Sequence, residues 1–480
     1  MYAKTNCFIK LGSEKTKPFR FTRGVRQGCI LSPLLFNLYL NDLPKSLTSA
    51  HQTDPFILPN GEKLSSLLYA DDLVLISKSK TGLQKCIDIV SEFCESWHLN
   101  VNHKKSKVLI FTKKTSKSVR EMKFLINNEV LEVVPEFTYL GVKISSSGNF
   151  QKHKDMTKGK AIHALFKVTK TVDFKRLKPQ KANQLFDTLI SPILTYGSEI
   201  WGVYLNQNFS KWDKEPTEKV HLKFCKYYLG VNSKASNLAC RAELGRFPLK
   251  IFIDKLIMRY WTHLFKLPDT TIAKQAFLIS ESLYENRKKC YHSNFHNIFN
   301  FYNINVQNDL SSFFSNPQLS KYESLMKAEY LKFWSNAILH SRKLEFYRTF
   351  KLSYESEPYL DSIRYFGQRR KFSKFRISNH NLAIESGRYT KTSIDDRKCQ
   401  FCSLNEIESE VHMLTKCTLY NDLRTQFLDK IKSRNINSHL DLCNEILCNG
   451  RDKAINYLAT FICKSFKLRE NTLNLLKNQC

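Results

Sequence analysis

The 480-residue sequence contains no run of about 18 uncharged apolar residues, which excludes a helix that spans a bilayer. No internal repeat is found. The first twenty residues carry Lys4 and Lys10 with no apolar stretch between them, so they do not read as a secretory signal. A soluble, intracellular chain is expected. Glycine and proline are sparse, at 15 and 13 residues, and 42% of residues are apolar against 25% charged. That composition excludes collagen, general disorder and a coiled coil. At roughly 100–200 residues per domain the length implies two to four folding units.

Carboxylates are also scarce. Lys and Arg number 75 against 44 Asp and Glu, a net charge of +31. The excess is clustered. Residues 1–26 hold seven cations and one acid, Glu14, and residues 103–125 hold eight and one, Glu121. Ser362 to Arg376 holds six and none. A solubilising surface mixes both signs, so the pattern favours a nucleic-acid partner. The fourteen cysteines are mostly scattered singly through a long chain, which fits reduced, buried thiols better than a disulfide framework.

Residues 1–30 read as short strands, with alternation at Cys7-Phe8-Ile9 and Phe19-Arg20-Phe21. From Ser32 to Pro44 the pattern is helical, with Ser32 as N-cap, Pro33 in the first turn and Pro44 as a stop. Because this helix is apolar nearly all round, burial in a core is expected. Leu64 to Ile76 is two apolar runs broken by Ala70-Asp71-Asp72, a hairpin pattern with acids at its tip. Leu83, Ile87, Val90, Phe93 and Cys94 share one helical face. Val108 to Phe111 and Phe137 to Ile144 are strand-like. From about 155 to 350 the pattern is helical, with Ser282 to Gln318 a less regular connector. His163, His221, His263 and His340 have no neighbours at ligand spacing and read as structural; Trp97, Trp201 and Trp261 read as core anchors.

Three places can carry chemistry. Adjacent carboxylates at a rigid hairpin tip cannot enter a core unpaired, and they suit a hard divalent cation. An isolated Asp-Asp pair is usually a solvated turn, so the surrounding sequence has to decide. The second place is Cys399-Gln400-Phe401-Cys402, followed by nine residues to His412 and four more to Cys417. That Cys₃His set suits tetrahedral Zn²⁺ with no open position, hence a structural ion. The third runs from Arg364 to Arg376, where Arg369, Arg370, Lys371, Lys374 and Arg376 alternate with Phe372 and other aromatics. Such a tract either stacks on bases while its cations track phosphates, or packs its rings inward as a basic amphipathic helix.

The stretch Gly24-Val25-Arg26-Gln27-Gly28-Cys29-Ile30-Leu31-Ser32-Pro33-Leu34-Leu35-Phe36 resembles the loop-helix element of reverse transcriptases. Tyr69-Ala70-Asp71-Asp72 follows it, then Leu99 to Lys107, then Phe137-Thr138-Tyr139-Leu140-Gly141-Val142, in the family's order. The combination resembles the non-LTR (LINE-type) retrotransposon enzymes, strongly over residues 18–150. A weaker likeness continues to about 430 through Leu185-Phe186-Asp187, Tyr196-Gly197 and Glu243 to Leu249. The tract Arg397 to Arg424 resembles their C-terminal zinc finger.

The resemblance implies an α+β fold: a partial polymerase palm with an antiparallel sheet over 1–150, a mainly helical thumb and connector over 151–350, and a basic, zinc-bound tail over 351–480. It implies two-Mg²⁺ nucleotidyl transfer from a dNTP to a primer 3′-hydroxyl on an RNA template. Asp71 would bind the ions with Asp72 beside it, and Lys105 would either assist departing pyrophosphate or contact phosphate. Gly24, Arg26, Gln27, Gly28, Ser32, Pro33, Tyr69 and Ala70 would line the template and nucleotide path. The family's upstream catalytic aspartate is missing, since only 23 residues precede Gly24 and none is Asp. The chain therefore reads as a C-terminal portion, inactive alone, whose partners are RNA, a DNA primer or target, and the absent N-terminal half. No membrane is involved, and a ribonucleoprotein in nucleus or cytoplasm is implied. A catalytically dead binding remnant, or the inert product of a decayed frame, are the other readings. A palm without its first strand should also expose apolar surface and self-associate.

Overall fold

A computed structural model of the chain describes residues 6–20, 24–112, 121–304, 316–431 and 438–478. It is a mixed α and β protein, mainly helical, with small sheets whose strand pairs are antiparallel except one. The chain divides into two units, Met1–Asn149 with Leu264–Arg287, and Phe150–His263 with Lys288–Cys480. Residues 151–350 and 351–480, expected as separate regions, therefore lie largely in one unit. Among the described residues no helix is long and apolar enough to cross a membrane.

The core of the first unit forms around the helix Lys80–Ser96, whose N-cap Ser79 accepts from the Gly82 amide at 3.1 Å. Its Cys86, Val90 and Phe93 pack with Leu40, Leu43 and Leu47, while Ile87 joins Val108, Phe124, Ile126 and Leu131 in a second cluster. Trp97 is half-buried against the first cluster. Three hairpins here turn through left-handed residues: Ala70, Asn127-Asn128 and Leu140-Gly141. In the last two both loop residues have positive φ, the conformation that suits the strands' right-handed twist.

The helix expected from Ser32 runs Ser32–Leu40 but is not buried. Leu34 and Leu38 are 57% and 63% exposed, Leu31, Leu35 and Tyr39 are also exposed, and only Ser32 and Leu40 are buried. An all-round apolar helix needs cover on every side, and the first unit supplies it on one. Leu31 occupies the cap position, while Ser32 Oγ donates back to the Arg26 carbonyl at 2.6 Å. Pro44 opens the following helix, Leu43–Ser49, rather than merely ending the first. The strand at Val108 is only Lys107–Val108. The presumed irregular connector contains the helix Tyr291–Phe301, with Phe295, Ile298 and Phe299 buried; its residues 305–315 lie outside the described residues.

The second unit is helical and is held by buried charge as well as by Trp201, Trp212 and Trp261. Glu218, fully buried, accepts from Trp212 Nε1 at 2.7 Å, the Leu249 amide at 2.9 Å and Arg241 at 3.0 Å, and contacts His221 at 2.9 Å. Burial pushes this carboxyl up, but His221, Arg241 and the Leu249 amide outweigh that and hold it at about 2. Arg246 grips Asp187 at 2.6 and 3.1 Å and lies 2.7 Å from His221 Nε2. Asp187 and the Glu243–Leu249 segment thus act as structural anchors. His163, His263 and His340 are exposed.

Candidate active site and metal centre

The strands Ser66–Tyr69 and Asp72–Leu75 pair antiparallel with Tyr69 opposite Asp72, so Ala70-Asp71 is a two-residue loop. Leu68, Leu73 and Leu75 anchor the hairpin on the first core, beside Phe36 and Leu40. Its tip stands in solvent: Tyr69 is 65% exposed, and Ala70, Asp71 and Asp72 are exposed. Ala70 has φ +54°, a left-handed conformation that an L-residue adopts at a cost of roughly 1–3 kcal/mol, typical of sites that aim side chains.

Tyr139, in the strand Glu136–Tyr139, has its hydroxyl pushed up by burial and by the Asp72 charge. Gly24, Arg26, Gln27 and Gly28 are exposed, and Gly24 and Gly28 have φ near +80° with open space where a Cβ would lie. Pro33 is exposed in the first turn of the helix and Ser32 is buried beneath the loop. Lys105 is exposed in a turn closed by Asn102 and forms no hydrogen bond or ion pair with Asp71. Its neighbours are less free, since His103 pairs with Glu129 and Lys107 with Glu132, each at 2.7 Å. Among the described residues no third acid, His or Cys gathers with Asp71 and Asp72 in a group of metal-binding size.

Such a group does form in the second unit. The ligand atoms of Cys399, Cys402, His412 and Cys417 lie within 4.8 Å of one another. Cys399 and Cys417 Sγ are 3.7 Å apart, and Cys402 Sγ is 3.4 Å from His412 Nε2. A tetrahedral ion with Zn–S of about 2.3 Å and Zn–N of about 2.0 Å requires edges of about 3.8 and 3.5 Å, so the donor set fits the ion. His412 Nδ1 faces Glu406 at 3.2 Å, which fixes the ring and leaves Nε2 for the metal. Glu406 also takes Lys416 at 2.7 Å. The sequence reading missed Glu406; an acid four residues beyond the CxxC turn was the available signal.

The basic-aromatic tract forms the helix Phe366–Arg376, and here the reading needs correction. Arg369, Phe372 and Arg376 are buried. Arg376 pairs with Glu243 at 2.9 Å and Glu357 at 2.5 Å, and Arg369 donates to the Leu360 and Lys175 carbonyls. A buried guanidinium must use its donors internally, so these three side chains cannot reach a nucleic acid. Arg370 and Lys371 are exposed and Lys374 is half-buried.

Residues 2–144 match the family described as reverse transcriptase (RNA-dependent DNA polymerase). The chain is 27% identical over 210 residues to the probable RNA-directed DNA polymerase from transposon BS of Drosophila melanogaster, covering 42% of this chain and 22% of that protein. It is 23% identical over 202 residues to the RNA-directed DNA polymerase from mobile element jockey of the same organism, covering 39% and 20%. To the retrovirus-related Pol polyprotein from type-1 retrotransposable element R2 of Nasonia vitripennis it is 30% identical over 160 residues, covering 32% and 15%. Over these stretches the chain is similar to the RNA-directed DNA polymerases of non-LTR retrotransposons. It spans about a fifth of the length of the first two of these relatives. The match covers the hairpin at Asp71-Asp72; it stops well short of the cysteine cluster.

Proposed function

We propose that the chain is a C-terminal portion of an RNA-directed DNA polymerase that copies an RNA template by two-metal nucleotidyl transfer. The observation that carries this reading is the pair Asp71 and Asp72 on an exposed, strained two-residue loop inside the matched segment. In it Asp71 holds the divalent ions with Asp72 beside it, and Mg²⁺ when bound supplies charge neutralisation of the transferred phosphate. The open backbone at Gly24 and Gly28, with Arg26, Gln27, Ser32 and Pro33, lets template and nucleotide approach closely. Tyr69 and Ala70 bear on the primer end, and Lys105 contributes charge for departing pyrophosphate.

Two-ion chemistry draws carboxylates from separate segments, and none joins Asp71 and Asp72 among the described residues. We assign the missing one to the longer polymerase, so that residues 1–150 form part of its palm, the following helices its thumb, and Cys399, Cys402, His412 and Cys417 a structural zinc finger. RNA template, DNA primer or target and dNTPs are the partners, in a ribonucleoprotein of nucleus or cytoplasm.

The test is primer extension on an RNA template with Mg²⁺, for this chain with and without the upstream part of the polymerase. Synthesis that needs the upstream part and vanishes in Asp71→Asn supports the reading. If Asp71→Asn leaves synthesis intact, Asp71 is not an ion ligand. RNA retention without synthesis in either form identifies a binding remnant.

A further inference from the structure

Away from the hairpin and the cysteine cluster, the second unit fixes several cations on one surface with little negative charge to offset them. The Lys175 ammonium lies between two rings, 5.0 Å from the centre of Tyr227 and 5.0 Å from that of Phe366. Its own carbonyl accepts from the buried Arg369, so both ends of the residue are held. Phe366 and Arg370 pack over Gly230, where a Cβ would come within 2.8 Å of each. Arg370 Nε donates to the Gly230 carbonyl at 3.1 Å, which orients the guanidinium; among the described residues its terminal nitrogens bond no other group.

Lys374, one turn further on, is crowded: burial and the Arg370 charge push its ammonium below the usual lysine range. Lys223 is exposed one turn before Tyr227, and Arg176 is 86% exposed. Asp173, half-exposed, already pairs with Arg176 at 3.2 Å. Asp173 offsets only the Arg176 end; Arg370 and Lys374, one turn apart, have no ion pair among the described residues, and such a local conflict is expected where a ligand of opposite sign completes the site. Tyr365, 75% exposed at the start of the same helix, offers an aromatic ring on which a base can stack.

We propose that Lys175, Arg370 and Lys374, flanked by Lys223 and Arg176, form a phosphate track for single-stranded RNA, with Tyr365 as a stacking face. The surface is assembled from three separate segments, and only its Phe366–Arg376 part is legible in sequence. Its assignment to RNA rests on the polymerase reading above.

The experiment measures binding of a short single-stranded RNA by the full chain across a salt series. The triple variant Lys175→Gln, Arg370→Gln, Lys374→Gln is compared with Lys288→Gln, Lys289→Gln, Lys332→Gln, which loses equal charge from exposed lysines of other helices and loops of the unit. At about 0.7 per phosphate contact on single strands, the first triple should lower the slope of log K against log salt by about 2. Its affinity at low salt should fall at least tenfold below the control's, and Tyr365→Ala should weaken binding further. Equal slopes in the two triples would overturn the proposal. So would loss of polyglutamate binding in the first triple with RNA binding unchanged, which would assign the surface to an acidic protein. The two readings fail separately: no primer extension even with the upstream part present, alongside the expected slope change, removes the polymerase and leaves the track.

Discussion

Replacing Arg376 with methionine separates the two roles that its place in a basic tract allows. In the structure its guanidinium donates to Glu243 at 2.9 and 3.2 Å, to Glu357 at 2.5 Å and to the Leu447 carbonyl at 2.6 Å. Phe350 and Tyr359 cover it at 4.6 and 5.0 Å. Methionine fills much of the volume but leaves Glu243 without its cation in the core and Glu357 with Lys351 alone. Breaking one side of a buried ion network costs about 3–5 kcal/mol, chiefly the desolvated charge left behind. At about 2–4 °C per kcal/mol for a unit of this size, the transition should move down by on the order of 10 °C. Adding Glu243→Gln should recover part of that, a coupling of roughly 1–3 kcal/mol. The Arg376→Met variant should also lose less stability at mildly acidic pH, because burial and the Glu243 charge already push Glu357 up and its protonation then relieves the uncompensated charge. The assay is thermal melting by far-UV circular dichroism, with RNA affinity measured well below the transition. If Arg376→Met melts within 1 kcal/mol of the parent and RNA affinity drops, the side chain reaches nucleic acid and the internal network is refuted.

Other consequences are as direct. The purified chain should carry one zinc, lost in Cys417→Ser and in His412→Ala, with Glu406→Gln lowering zinc affinity about 10–100-fold; metal analysis showing no zinc in the parent chain would remove the centre. Gly230→Ala should destabilise the second unit and shift Arg370, because φ is +69° and a Cβ has no space; unchanged melting would show that the two helices can part freely. Glu218 sits at about 2, below the ordinary carboxylate value, so its stabilisation is complete above about pH 4.5. On the order of 3 kcal/mol is lost as pH falls from there through 2. Glu218→Gln should flatten the acid limb of stability against pH, and an unchanged limb would rule the residue out as its source. Leu34→Gln with Leu38→Gln should reduce self-association in light scattering without lowering the melting point, since both side chains lie in water.

Local signals carried much of the fold. The 3.6-residue period from Leu83 to Cys94 marked the helix Lys80–Ser96, and the break at Ala70-Asp71 marked the hairpin, because both are written in neighbouring residues. The Cys399–Cys417 spacing likewise brought four donors together. What failed depended on partners remote in sequence. Nothing near Arg376 announces Glu243, 133 positions away, so a buried guanidinium looked like a surface one. The Ser32–Leu40 helix reads as core by composition, and its exposure reflects which elements are available to cover it. Lys175 gave no signal, since its two rings come from Tyr227 and Phe366.

The return of Leu264–Arg287 to the first unit sets an order on synthesis. Asn60 donates its amide to Gln275 at 2.9 Å, a pair 215 positions apart. On the ribosome, the N-terminal unit cannot close until that distant stretch has emerged, by which time Phe150–His263 is already outside the exit tunnel. An expression boundary drawn at residue 150 would therefore produce a unit permanently short of one of its own helices, Ile272–Glu285.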